Sequence, residues 1–152
     1  MIDFEKTLTY LLTPISNSYW SMLEKSMIEI NLHSGQVFIL ISLFKEDGQS
    51  QIELSKNLNL APPTVNKMIK SLVDSNFVMT KNDSEDGRVL RTFLTRKSFD
   101  SKSLIEKQWV KIETQIFLNF TETEKLILFQ LFDKLGKNLI DETASEQYDK
   151  TK

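Results

Sequence analysis

No cysteine occurs among the 152 residues, and histidine occurs once, at His33. The first absence excludes a disulfide scaffold, a thiol redox switch, a cysteine nucleophile and thiolate-held zinc or iron–sulfur centres. The second excludes a multi-histidine metal site. Long apolar runs are also missing. The longest, Val37 to Ile41, spans five residues, against about 20 for a membrane helix. The N-terminus lacks a basic stretch followed by an apolar one, so no export signal is expected and the expected address is the cytoplasm. Only four glycines and three prolines occur. None of the glycines builds a phosphate-binding loop or a nucleophile elbow. Neither an enzyme nor a cofactor nor a metal is expected.

What is present fits one soluble domain. Apolar residues make up 40% and charged residues 26%, a balance that builds a core without staples at this length. The net charge of −2 argues against a nucleic-acid partner until it is resolved along the chain. Residues 45–97 hold nine basic against seven acidic residues, while both flanking segments carry an acidic excess. All three arginines, Arg88, Arg91 and Arg96, fall in that middle segment. A locally positive segment points to an anionic partner there.

Periodicity predicts mainly helices. Phe4, Leu8, Leu11, Leu12, Ile15, Tyr19, Met22, Leu23, Met27 and Ile30 recur at steps of three and four, predicting a helix over 3–30 that Pro14 should kink or split. A second helix over 34–45 is apolar nearly all round and should be central, with Gly48 ending it. Ser50 and Glu53 form a capping box that opens a short helix. A tight turn at Asn59-Leu60-Ala61 leads to a helix over 64–75, with Pro63 tolerated at its first position. Phe77–Lys81 and Val89–Leu94 read as a hairpin around a polar loop with a turn at Asp86-Gly87. Two further helices are expected over 96–119 and from the capping box Thr121–Glu124 onward, with a polar fraying end from about Ala144.

Short helix, tight turn, second helix and hairpin is the order of a winged helix-turn-helix. A helix about 10–12 Å across is what the major groove of B-DNA admits. The outward residues of the second helix are Thr64, Asn66, Lys67, Lys70 and Ser71, and no acid occurs from Pro62 to Val73. Asparagine can pair with adenine, threonine can touch a thymine methyl or a phosphate, and lysine can reach guanine or phosphate. Arg88 at the hairpin tip suits the focused negative potential of a minor groove, with Asp86 placed to orient it.

Four segments in register carry a resemblance. Gln51-x-Glu53-Leu54-Ser55-x-x-Leu58, Thr64-Val65-x-Lys67-x-Ile69-x-x-Leu72, Asp83-x-x-Asp86-x-Arg88 and Leu94-Thr95 resemble the MarR-type winged-helix transcriptional regulators. The resemblance implies a six-helix homodimer that places one recognition helix in a major groove and one wing in a minor groove of a palindromic operator. It implies repression relieved by a small lipophilic effector. Carried over by position, Thr64, Asn66, Lys67 and Lys70 would read the groove, and Ser50 and Gln51 would touch phosphate. Arg88 would be the wing tip braced by Asp86, and Pro63 and Arg91 complete the expected DNA-binding set. Two departures stand out. Ala61 and two prolines replace the usual Ser or Thr cap, and Ser98 replaces a glycine after Leu94-Thr95.

The division implied is an N-terminal dimerisation helix (1–33), a DNA-binding lobe (34–97), C-terminal dimerisation helices (98–148) and a tail (149–152). A dimer is also suggested by the breadth of the apolar surface from Leu126 to Leu139, wider than a single stripe. Tyr19, Trp20, His33 and Trp109 are the candidate effector-site residues. The rival reading is a winged-helix module that binds another protein instead of DNA, for which the acidic net charge is the best argument.

Overall fold

The computed structural model describes residues 2–149, and side chains as far as Leu139. The chain divides into two compact units, Met1–Ile112 and Glu113–Lys152. A 3₁₀ turn, Phe4–Lys6, precedes α1 (Leu8–Ile28). There follow α2 (Ser34–Lys45), β1 (Gln49–Ser50), α3 (Gln51–Leu58), α4 (Pro62–Asp74), β2 (Val78–Asn82), β3 (Leu90–Leu94), α5 (Arg96–Ile116) and α6 (Glu122–Asp149). The mainly helical winged helix-turn-helix expected from periodicity is what forms.

Several local expectations are corrected. The wing is not two-stranded alone: β1 adds to it, giving an antiparallel sheet in the order β1-β3-β2. Gln49 pairs with Thr92 and Ser50 with Arg91, a two-residue strand too short to show period-two alternation. The first helix starts at Leu8, where Thr7 accepts a hydrogen bond from the Tyr10 amide. Pro14 lies inside α1 without splitting it, because one missing i→i−4 bond does not break a helix of 21 residues. Nor does Gly48 end α2. That helix stops at Lys45, and the side-chain amide of Gln49 donates to the carbonyls of Ser42 (2.9 Å) and Glu46 (2.6 Å). Gly48 instead takes φ +76° in the turn before β1. A Cβ there would meet the Phe93 ring at 2.7 Å.

The core lies in the first unit. α2 contributes Val37, Ile39, Leu40 and Leu43, all buried, against Leu54 of α3, Val65, Ile69 and Leu72 of α4, and Leu23 and Met27 of α1. α2 is central, as expected, although Ile41 is 40% exposed. The N-terminus of α2 is held from outside by Glu24 on α1, which accepts from the Ser34 amide (2.8 Å) and lies 2.6 Å from His33 Nδ1. Buried Gln36 then joins α2 to α4. Its Oε1 accepts from the His33 amide, and its Nε2 donates to Ser71 Oγ, both at 2.8 Å. Leaving those polar groups unpaired in the core would cost about 1–3 kcal/mol.

Helix ends use asparagine where glycine is usual. Asn31, Asn59, Asn76 and Asn119 all have left-handed φ, between 50° and 69°. After the first three, the next amide reaches back over the end of the helix: Leu32 to Met27, Leu60 to Ser55 and Phe77 to Leu72. These are Schellman closures, in which an apolar residue after the left-handed position packs inward. Leu32 and Phe77 are indeed buried. Asparagine tolerates the left-handed region where other side-chain-bearing residues strain.

In the second unit, Thr121 and Glu124 complete the expected reciprocal cap of α6, at 2.8 and 3.2 Å. Phe117 packs edge-on against Phe120 and Phe129. Leu126, Ile127, Phe129, Leu131, Phe132 and Leu139 are all exposed. Residues 150–152 of the expected tail, and the side chain of Ile140, lie outside the described residues.

Asn76→Ala is expected to lower unfolding free energy by about 1–2 kcal/mol, the cost of a left-handed alanine. Asn76→Gly is expected to stay within a few tenths of a kcal/mol of the parent. Denaturant unfolding of the two variants checks both.

Candidate nucleic-acid interface

The second helix of the pair, α4, is built with two faces. Val65, Ile69 and Leu72 are buried at steps of four and three. Opposite them Pro63, Thr64, Asn66, Lys67 and Lys70 are exposed. Among the described residues no side-chain hydrogen bond or ion pair engages Thr64, Asn66, Lys67 or Lys70. Ser71, on the same outward row, is already occupied by Gln36. Pro62 and Pro63 hold the first two helical positions, and Ala61 supplies no side-chain cap. Two of the first backbone donors therefore do not exist, and the Thr64 amide bonds to the Ala61 carbonyl at 2.9 Å. The positive character of this end comes from side chains, with little left to a row of free amides.

Ser50 and Gln51 serve the architecture. Ser50 is buried, and its hydroxyl accepts from the Glu53 amide while Glu53 accepts from the Ser50 amide at 2.7 Å. The Ser50 amide, and after it the Ser50 hydroxyl, hold the Glu53 carboxyl below its ordinary range. Gln51 Nε2 donates to the Pro62 carbonyl at 2.7 Å, tying the start of α3 to the start of α4. Both residues thus position the helix pair.

The wing is ordered from its base to its tip. Asp83 accepts from the amides of Glu85 (2.9 Å) and Asp86 (3.0 Å) through one oxygen and pairs with Arg91 through the other. The Arg91 guanidinium, then these amides, hold the Asp83 carboxyl down to about 2. Asp86 accepts from both the amide and Nε of Arg88, at 3.0 and 3.1 Å. Arg88 lowers the Asp86 carboxyl in turn. The Arg88 side chain is 91% exposed, so it is oriented but uncovered. At the foot of the wing, Leu94 is buried and Thr95 makes a clamp. Thr95 Oγ1 donates to the carbonyls of Asn76 (2.7 Å) and Phe77 (3.0 Å). Ser98 Oγ also donates to the Phe77 carbonyl.

Residues 32–90 match the family model described as MarR family. A MarR protein from Peptoclostridium difficile is similar in structure, with TM-score 0.84 and 26% identity over 93% of this chain and 94% of that one. The transcriptional regulator AdcR of Streptococcus pneumoniae is 26% identical over 129 residues, covering 83% of this chain and 88% of its own. The chain is thus similar to the MarR family, in sequence over residues 32–90 and in fold over nearly its whole length. These likenesses support a transcriptional regulator of the DNA-binding type rather than an enzyme. A MarR family regulator from Listeria monocytogenes, solved in complex with 26-mer DNA, shares the fold at TM-score 0.81 and 23% identity, over 90% of this chain and 91% of that one. Among the described residues, no helix is long and apolar enough to cross a membrane.

The expected effector residues separate. Tyr19, Trp20 and Trp109 are brought together, but through Phe38, which the sequence reading missed. Ring centroids follow one another at 5.6, 5.7 and 5.8 Å from Tyr19 to Trp20 to Phe38 to Trp109. His33 sits at the end of α2 on Glu24 instead. A cavity of about 340 Å³ opens beside Trp109, which lines it together with Ile41, Phe44, Lys102, Ile105 and Glu106. Its only sequence signal is the excess apolar face of α2. The role of Glu53 at the wing was equally invisible, since its partner Arg91 lies 38 residues away.

Asp83 has a depressed folded-state pKa, so its contribution is present above its ordinary value of 3.8 and lost as pH falls through about 2. Asp83→Asn is therefore expected to lower the unfolding midpoint at pH 7. That deficit should shrink steadily between pH 4 and pH 2, which thermal melts across this window will show.

Proposed function

We propose that the chain acts in the cytoplasm as a homodimeric repressor that binds a palindromic operator and leaves it when a small lipophilic effector binds. The observation that carries this reading is the uncommitted outer row of α4. Thr64, Asn66, Lys67 and Lys70 are exposed and unpartnered, with no acid before Asp74. Arg88, held by Asp86 yet bare, supplies a second contact suited to a narrow groove. The Listeria monocytogenes relative with its 26-mer DNA supports the same use of the fold.

A homodimer is supported by apolar surface that a single chain leaves open. Besides the α6 residues above, Leu8, Tyr10, Leu11, Leu12 and Ile15 of α1 are exposed. Exposed apolar helix faces of that kind mark an interface, and a two-fold axis matches two half-sites about one helical turn apart. For the effector, the cavity beside Trp109 is a candidate. Ile41, Phe44 and Ile105 give it apolar walls, and Lys102 and Glu106 give it a charged rim. It joins α2, which carries Gln36 and through it the recognition helix, to α5. A ligand that shifted these two helices would bear on the placement of α4.

The test is selection of bound duplexes from a random pool, followed by titration at several salt concentrations. A palindromic consensus and a steep loss of affinity with salt are expected. Lys67→Ala and Lys70→Ala should each reduce the salt slope by about one if they meet phosphate. Arg88→Ala should cost about 1–3 kcal/mol of operator binding. Sedimentation should give a dimer at the concentrations used. Recovery of no duplex at low salt would instead favour the protein-binding module.

A further inference from the structure

Arg91 is one of only three arginines, and it lies in the positive segment expected to meet DNA. Its guanidinium is nevertheless committed inside the protein. Nε pairs with Asp83, and Nη1 donates to the Gly48 carbonyl at 3.0 Å and to Glu53 Oε2 at 3.3 Å. These acceptors belong to the wing loop, the turn before β1 and helix α3. Each carboxylate has a second task. Glu53 closes the cap of α3 on the Ser50 amide. Asp83 gathers the amides of Glu85 and Asp86, and Asp86 holds Arg88. One unbroken series of contacts thus runs from the start of α3 to the tip of the wing.

We propose that Arg91 is a positioning residue that fixes the wing tip, and with it Arg88, relative to the helix-turn-helix, and that it takes no phosphate itself. Three considerations carry this. First, strand pairing ends at Asn82 and Leu90, and the loop beyond has only two backbone bonds of its own, Asp83 to Val89 and Val89 to Asp86. Without the Asp83–Arg91 pair the tip has little to hold it against the rest of the lobe. Second, Arg91 lies directly across the strand pair from Lys81. Like charges so placed repel, and Asp83 and Glu53 offset that repulsion. If Arg91 swung out to a phosphate, it would uncover two carboxylates beside a polyanion. Third, reaching acceptors on three segments needs the fixed fork of a guanidinium, which lysine does not have.

The proposal rests on DNA binding as described above, so its test has one arm with DNA and one without. The probe is a duplex selected by the parent protein from a random pool. Arg91→Gln is expected to weaken binding about tenfold, and to have no further effect when Arg88 is already alanine. Arg91→Lys, which keeps the charge but loses the fork, should fall with Arg91→Gln. In the free protein, amide exchange at Glu85 and Asp86 should speed up in Arg91→Gln while amides of the α2 core keep their protection. Additive losses with Arg88→Ala, together with near-parent binding by Arg91→Lys, would make Arg91 a phosphate contact and overturn the proposal. Unchanged exchange at Glu85 and Asp86 would overturn it as well, even if the parent protein selects no duplex. That last failure to select would count against DNA binding alone and leave the exchange result to decide the role of Arg91.

Discussion

Sheet, helix pair and wing loop meet at the Arg91 guanidinium. On the proposed reading, a helix in one groove and a finger in the next must arrive together, so the two surfaces are useful only at a set separation. Backbone pairing does not provide that separation here, since β1 is two residues long. Side-chain electrostatics provide it instead, through Glu53, Arg91 and Asp83. The pairs are partly screened by solvent, so their value lies less in gross stability than in limiting the wing to one arrangement.

The same economy is visible across the helix pair and the wing. Residues expected to touch DNA sort into two groups once their neighbours are known. Ser50, Gln51, Asp86 and Arg91 are engaged within the protein, by helix caps, a carbonyl or an ion pair. Thr64, Asn66, Lys67, Lys70 and Arg88 extend outward from that support. The small positive excess of the middle segment is consequently concentrated further than its arithmetic suggests. Asp83 and Glu53 face Arg91, and the bare cations are left on the outer row and the tip. A chain with net charge −2 can in this way present a locally cationic ridge.

Glycine scarcity had a structural answer. With four glycines in the chain, helices close on asparagine at Asn31, Asn59, Asn76 and Asn119. The following apolar residue, at Leu32 and Phe77, drops into the core. Phe77 is the more consequential of the two. Its carbonyl is the anchor for Thr95 and Ser98, so the end of the recognition helix, the foot of the wing and the start of α5 share one point. The Ser98 departure from the family pattern is accommodated there by a hydrogen bond.

Much of this protein was legible in its residues, wherever the signal was local. Periods of three and four marked the helices, Ser50 with Glu53 marked a cap, and Asp86 with Arg88 marked the tip, because each depends on neighbours within one turn of chain. Composition alone removed thiol and multi-histidine metal chemistry. What the residues could not convey were relations between distant segments. Arg91 reads as one more basic residue until Glu53 and Gly48 are folded against it. Gln49 reads as a loop residue until it caps α2. His33 reads as an aromatic neighbour until Glu24 holds it. A hydrogen bond between partners 38 or 43 residues apart leaves no periodic trace. Its geometry exists only after the core has packed and brought the partners within reach.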